Sequence, residues 1–179
     1  PAEGLCAEIY TLDSSEGIEF NEGYGIIKTD DYSLIFIEGI ASTDFSEGVF
    51  RQSSEVFEKI DAILSRHGFC PDDIVRQWNY IGNITQHREG RQNYQEFNDA
   101  RSAYYQKGKW ANGYPAATGI GTSCEGIIVS CIAYKASDSI HPINNPLQIA
   151  AHEYSKKVLV DNNADAIKST PKFERAKLI

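Results

Sequence analysis

Three arginines lie among aromatic residues in the middle of the chain: Arg76, Arg91 and Arg101 run close to Trp78, Tyr80, Tyr94 and Tyr104, with Tyr114 and Thr118 following. A guanidinium grips a carboxylate through two parallel hydrogen bonds, and tyrosine hydroxyls can complete such a site. The constellation therefore suits a small carboxylic acid. At helical spacing Tyr94, Phe97, Arg101 and Tyr104 share one face, and an inward-facing arginine needs an anionic partner. For any single arginine, surface pairing with Glu89, Glu96 or Asp99 is the ordinary reading, and only the cluster favours a ligand.

Other chemistries find less support. His67, His87, His141 and His152 have no metal-ligand spacing to one another or to the cysteines, so no metal is expected. Cys124 and Cys131 sit in or beside an apolar strand, where a thiol is usually a small inert core group. The string Gly119-Ile120-Gly121-Thr122 lacks the further glycines or lysine of a nucleotide loop, and no cofactor is expected. A net charge of -8 repels polyanions, which argues against nucleic acid as a partner. No apolar run approaches the roughly 20 residues of a membrane span, and no signal-peptide pattern opens the chain. Four scattered cysteines without a C-x-x-C pair fit a reducing cytosol. The chain has no Met, and its start at Pro1 suggests a processed product or a piece of a longer chain.

The elements that must position these groups follow from hydrophobic period. Residues 16–29 read as strand and turn, with Asp30-Asp31 before the strand Leu34–Ile37, whose unbroken apolar run predicts cover on both faces. From Glu47 to His67 the period becomes helical, with Phe50, Phe57, Ile60 and Leu64 inward and Gly68 as the stop. Residues 73–84 read as a strand with Arg76, Trp78 and Tyr80 on one face and Val75, Gln77, Asn79 and Ile81 on the other. A helix is predicted over 91–106, a Gly-rich loop over 107–122 and a strand over 126–134. This order predicts an α+β fold: one sheet with both helices packed on one face. The pattern weakens after residue 137. Residues 1–137 should form the lobe, and 138–179 a connector that packs on it or begins a second lobe.

These motifs, in this order, resemble the YjgF/RidA superfamily lobe, and more specifically the chorismatases. The matching stretches are Trp78 to Ile81, Tyr94 to Arg101 and Pro115 to Gly121. The tail resembles the chorismatase segment joining two lobes, through Asn145, Pro146, Gln148, Ala151, Tyr154, Pro171, Phe173, Arg175 and Ala176. The resemblance covers residues 24 to 179. It implies a mixed sheet with two helices, a lobe that trimerises in RidA and is duplicated in chorismatases, and hydrolysis of the enolpyruvyl ether of chorismate with release of pyruvate. Such chemistry needs a general acid and cationic groups for two carboxylates. By similarity Arg91 and Arg101 would bind carboxylate, with Tyr154 as a neighbour and Arg175 as a further contact; the catalytic group is unassigned.

Three departures qualify what the resemblance implies. Ala117 stands where RidA-type imine deaminases carry arginine, which disfavours deamination. Leu147 stands where chorismatases usually have arginine in the linking segment. The family's catalytic glutamate belongs to a second lobe, which would begin where this chain stops at Ile179. The leading expectation is thus a chorismatase-like lobe and connector binding chorismate or a related acid, partnered by a second lobe or by further copies. A non-catalytic ligand-binding or interaction module is the alternative from another class, with imine deamination third.

Overall fold

The computed structural model describes residues 11, 17–137, 140–153 and 169–179. Its first elements form an antiparallel meander of β1 (Ile18–Asn21), β2 (Tyr24–Lys28) and β3 (Tyr32–Ala41). Thr29 closes the second turn: its hydroxyl donates to the Tyr32 carbonyl and accepts from the Tyr32 N–H. Helix α1 (Val49–Arg66) buries Val56, Phe57, Ile60 and Leu64 at intervals of three and four, and Gly68 ends the turn beyond it at φ 79°. Phe50, expected inward, is 39% exposed; Ser53 and Val56 take the inner positions of the first turns instead.

Strand β4 (Ile74–Gly82) leads through a two-rung hairpin of β5 (His87–Arg88) and β6 (Arg91–Gln92) into helix α2 (Asn93–Tyr105). The helix therefore starts two residues later than its period suggested, because Arg91 and Gln92 are held in the hairpin. Strands β7 (Ala116–Thr122) and β8 (Ile127–Ala136) complete a six-stranded sheet in the order β1-β2-β3-β8-β4-β7. The loop expected over 107–122 is overturned in its second half. Residues 116–122 pair in parallel with β4, from Arg76 opposite Ala116 to Gly82 opposite Thr122. Ala-Ala-Thr-Gly-Ile-Gly-Thr has little intrinsic strand signal, and pairing with β4 imposes the extended form.

Both helices cover the same sheet face, as expected. Ile35, Ile37, Ile81, Val129 and Cys131 meet Phe57, Ile60, Leu64, Phe97 and Tyr104 in one core. Phe57 packs between Phe97 at 5.8 Å and Tyr104 at 5.0 Å. Each fully buried large apolar side chain contributes about 1.5–3 kcal/mol. The opposite face carries Leu34, Phe36, Trp78, Tyr80, Ile132 and Tyr134, all half-buried, with Ile128 41% exposed. The two-sided cover predicted for β3 is thus absent among the described residues, since the helices reach one face only. Strand β4 keeps the predicted alternation, with Val75, Gln77, Asn79 and Ile81 buried.

The described part of the tail lies on the β7 edge. β9 (His141–Ile143) pairs with β10 (Ala176–Leu178), the Glu174 N–H donates to the Pro115 carbonyl at 2.9 Å, and Ala117 N–H donates to the Glu174 carbonyl. Ser169 N–H donates to an Asp99 oxygen at 3.1 Å, tying the tail to α2 as well.

Candidate functional site

Small residues on β7 leave room between the sheet edge and α2. The helix-facing positions of β7 are Ala117, Gly119 and Gly121, so no large side chain fills that corner. Helix α2 places Tyr94, Phe97 and Arg101 opposite them. Asn79 comes from β4, Ile84, Thr85 and Gln92 from the connection before α2, and Phe173 closes the space from the tail. Together these residues line a cavity of about 210 Å³.

Arg101 is the chemically unusual group of this cavity. The residue is 3% exposed, yet its guanidinium makes no ion pair among the described residues. One Nη2 hydrogen goes to Asn98 Oδ1 at 2.6 Å, and Nε is buried with no hydrogen-bond partner. The Phe97 and Phe173 rings flank the guanidinium carbon at 5.4 and 5.9 Å, which offsets part of the desolvation. Taking an unpaired cation out of water costs several kcal/mol, and buried charges are normally paired. The anion that sequence reasoning required for Arg101 is therefore not supplied by any described side chain. Asn98 Nδ2, also buried, lacks a partner too.

The other predicted residues are distributed elsewhere. Arg91 is half-buried and pairs through Nη2 with Asp99 Oδ2, and it does not line the cavity. Asp99 also accepts from Gln95 Nε2 at 3.0 Å and from Ser169 N–H, so Arg91 belongs to a strap holding the tail on α2. Arg175 is exposed, its guanidinium 5.8 Å from the Phe173 ring, outside the cavity lining. Tyr154 lies outside the described residues. Arg76 donates to Thr118 Oγ1 at 2.8 Å and sits over Trp78 on the helix-free face, away from Arg101. Tyr114 stacks on Tyr105 at 5.6 Å, and burial, then Glu174, push its phenol up from the ordinary value.

A larger space of about 420 Å³ lies beside the start of α1, between Phe45, Gln52, His87 and Glu125. Its buried amides are already engaged: Gln52 accepts from Ser42 and donates to the Glu47 carbonyl, while Asn93 donates to the Gly82 and Asn83 carbonyls. Its Arg88 is exposed. The smaller cavity holds the group with unmet valence, and we take it as the site.

Sequence reasoning missed Asn79, Asn98 and Gly119 as site residues. The available signal was Gln77 and Asn79 alternating with Val75 and Ile81 on the face the helices cover, because buried amides there require partners.

The motif order can now be set beside known proteins. A family model described as Chorismatase FkbO/Hyg5-like, N-terminal, matches residues 8–133. The chain belongs to this chorismatase N-terminal family. A 3-hydroxybenzoate synthase of Streptomyces hygroscopicus is 29% identical over 161 residues, covering 88% of this chain and 45% of that protein. A chorismatase of Streptomyces rapamycinicus is 27% identical over 153 residues, covering 84% of this chain and 44% of that protein. The chain thus spans less than half the length of the curated relatives it matches. In fold, a crystal structure of chorismatase solved at 1.08 Å superposes with a TM-score of 0.64 at 22% identity, over 89% of this chain and 44% of that one. Every lining residue of the Arg101 cavity except Phe173 lies inside the matched span.

Proposed function

We propose that this chorismatase-family lobe binds chorismate or a related small cyclic acid, with Arg101 receiving one carboxylate in the cavity between α2 and β7. The observation that carries the reading is a buried guanidinium with an unpartnered Nε, opening on a cavity walled by Tyr94, Phe97 and Phe173. Aromatic walls suit the ring of such an acid, and a bidentate carboxylate supplies the missing counter-charge. Family resemblance makes Arg91, Tyr154 and Arg175 further proposed contacts, and Arg91 would have to leave Asp99 to serve.

The proposed reaction of the complete protein is hydrolysis of the enolpyruvyl ether. A general acid protonates the vinyl carbon, water adds to the resulting oxocarbenium carbon, and collapse of the hemiketal releases pyruvate and the ring alcohol. No carboxylic acid lines the cavity among the described residues; it is the family resemblance that assigns the acid to a second lobe, with residues 138–179 as connector. The half-buried apolar sheet face, with Ile143, Leu147 and Leu178 exposed on the tail, supports a partner lobe or further copies of the chain.

Chorismate supplied to the complete protein, with pyruvate followed through a coupled dehydrogenase, tests the reading. Binding with pyruvate release supports the hydrolase, whereas no binding and no pyruvate overturns it. Binding without turnover would favour the non-catalytic ligand module, a reading supported by that same absence of an acid in the described lining.

A further inference from the structure

Among the described residues that line the Arg101 cavity, Phe173 alone comes from the tail. Its neighbour Glu174 docks that segment on β7. The Glu174 N–H donates to the Pro115 carbonyl at 2.9 Å, its carbonyl accepts from the Ala117 N–H at 3.4 Å, and its buried carboxylate accepts from the Tyr114 N–H at 3.1 Å. Ala117 is itself a cavity residue, so the tail is fastened to the floor of the site. Two further ties hold the same segment. Ser169 is bonded to Asp99 and Gln95 of α2, and Lys177 Nζ donates to the Gly113 carbonyl at 3.0 Å.

Docking has a cost at Arg101. The Phe173 ring lies 5.9 Å from the guanidinium carbon, with Phe97 at 5.4 Å, and the arginine is almost fully buried with no ion pair among the described residues. A ring takes water from a cation without supplying a counter-charge, so the cation opposes docking unless an anion accompanies it. A carboxylate in the cavity reverses the balance. In the closed site its pairing with the guanidinium is strong, whereas with the tail lifted both ions are hydrated and their pairing is worth little. We infer that residues 169–178 form an anion-dependent strap: a carboxylate at Arg101 and docking of the tail on β7 strengthen each other, with Phe173 coupling the two. The inference rests on the carboxylate reading and adds its regulation by the tail. Linkage makes the effect reciprocal, so the factor by which docking tightens the carboxylate is the factor by which the carboxylate holds the tail. Phe173 acts through the guanidinium and is a positioning residue.

Amide hydrogen exchange in the 179-residue chain, followed by NMR with and without benzoate, measures the coupling. The Glu174 N–H reports docking because its bond crosses from tail to β7. Saturating benzoate is expected to slow its exchange about fivefold to 150-fold, the usual span of coupling between two sites. Benzamide at matched occupancy brings the ring without the charge and should slow it less than about twofold. Phe173→Ala is expected to speed the exchange and to reduce the slowing by benzoate to less than about twofold. A Phe173 that merely packs the tail would speed exchange equally with and without benzoate, and the ratio would not move. Benzoate that binds and shifts the Arg101 Nε–H, yet leaves Glu174 N–H exchange unchanged, overturns the strap and leaves the carboxylate site standing. Equal slowing by benzoate and benzamide also overturns it, since cavity filling alone would then hold the tail. If benzoate does not bind, the carboxylate site itself falls. Should Phe173→Ala fail to fold, the comparison of benzoate with benzamide on the wild type decides.

Discussion

Replacing Arg101 with Met separates a ligand-binding arginine from a structural one. The guanidinium is almost fully buried with no counter-charge among the described residues, a desolvation cost of about 4–6 kcal/mol after relaxation. Against it stand one charged hydrogen bond to Asn98, about 2 kcal/mol, and two aromatic faces within 6 Å, about 1–3 kcal/mol together. Met fills a similar volume, and the substitution strands the Asn98 oxygen at about 1 kcal/mol. The terms nearly cancel, so Arg101→Met is expected to change stability by between about -2 and +2 kcal/mol, with the double variant Arg101→Met/Asn98→Leu more stable than wild type by about 1–3 kcal/mol. In a chain of this length that gain is a midpoint rise of roughly 2–12 °C in a thermal scan. Carboxylate affinity should meanwhile fall about 10- to 150-fold by calorimetry, the worth of 1.5–3 kcal/mol. A loss of stability above about 3 kcal/mol with unchanged carboxylate affinity would refute the reasoning, since it would mark Arg101 as a pillar of the fold.

Ala117→Leu should fill the space beside Gly119 and abolish carboxylate binding while changing the unfolding free energy from urea titration by less than about 1 kcal/mol, because the position faces the cavity and not the core. Asp99→Asn removes the charge that Arg91 pairs with and weakens the tie to Ser169; a loss of about 1–2 kcal/mol and faster proteolysis within residues 169–179 are expected, and an unchanged cleavage rate would contradict the strap. Burial, then Glu38, push the Cys131 thiol up to about 12, and burial raises the Tyr104 and Tyr105 phenols. These groups ionise near 9 and 10 when unfolded, so stability is fully present below pH 9 and declines as pH rises from about 9 to 12. Urea titrations across that range check the sign, and iodoacetamide should modify exposed Cys70 and Cys124 before Cys131.

Periodic elements were legible because burial imposes the period. Val56, Phe57, Ile60 and Leu64 on α1, and the alternation along β4, are repeated contacts with one apolar layer. Strand β7 was not legible, since its alanines and glycines carry no packing signal and its form comes from β4. Those same small residues open the cavity, so the least strand-like segment contributes most to the site. Phe50 misled because a helix N-terminus can turn an aromatic outward without breaking the period. The arginine cluster was real in sequence but spans two faces: Arg76 is on the helix-free side, Arg91 in an ion pair, and only Arg101 enters the cavity. Sequence adjacency cannot separate these cases, because strand alternation and the hairpin before α2 decide which way each guanidinium turns.

The Arg101 Nε–H resonance reports the central claim directly. This hydrogen is buried and meets no partner among the described residues. On titration of ¹⁵N-labelled protein with chorismate it is expected to move downfield and saturate, as a carboxylate oxygen closes on it. Chorismate that instead perturbs residues around Phe45 and His87, leaving the Arg101 Nε–H unmoved, would place the ligand in the other cavity and contradict the account.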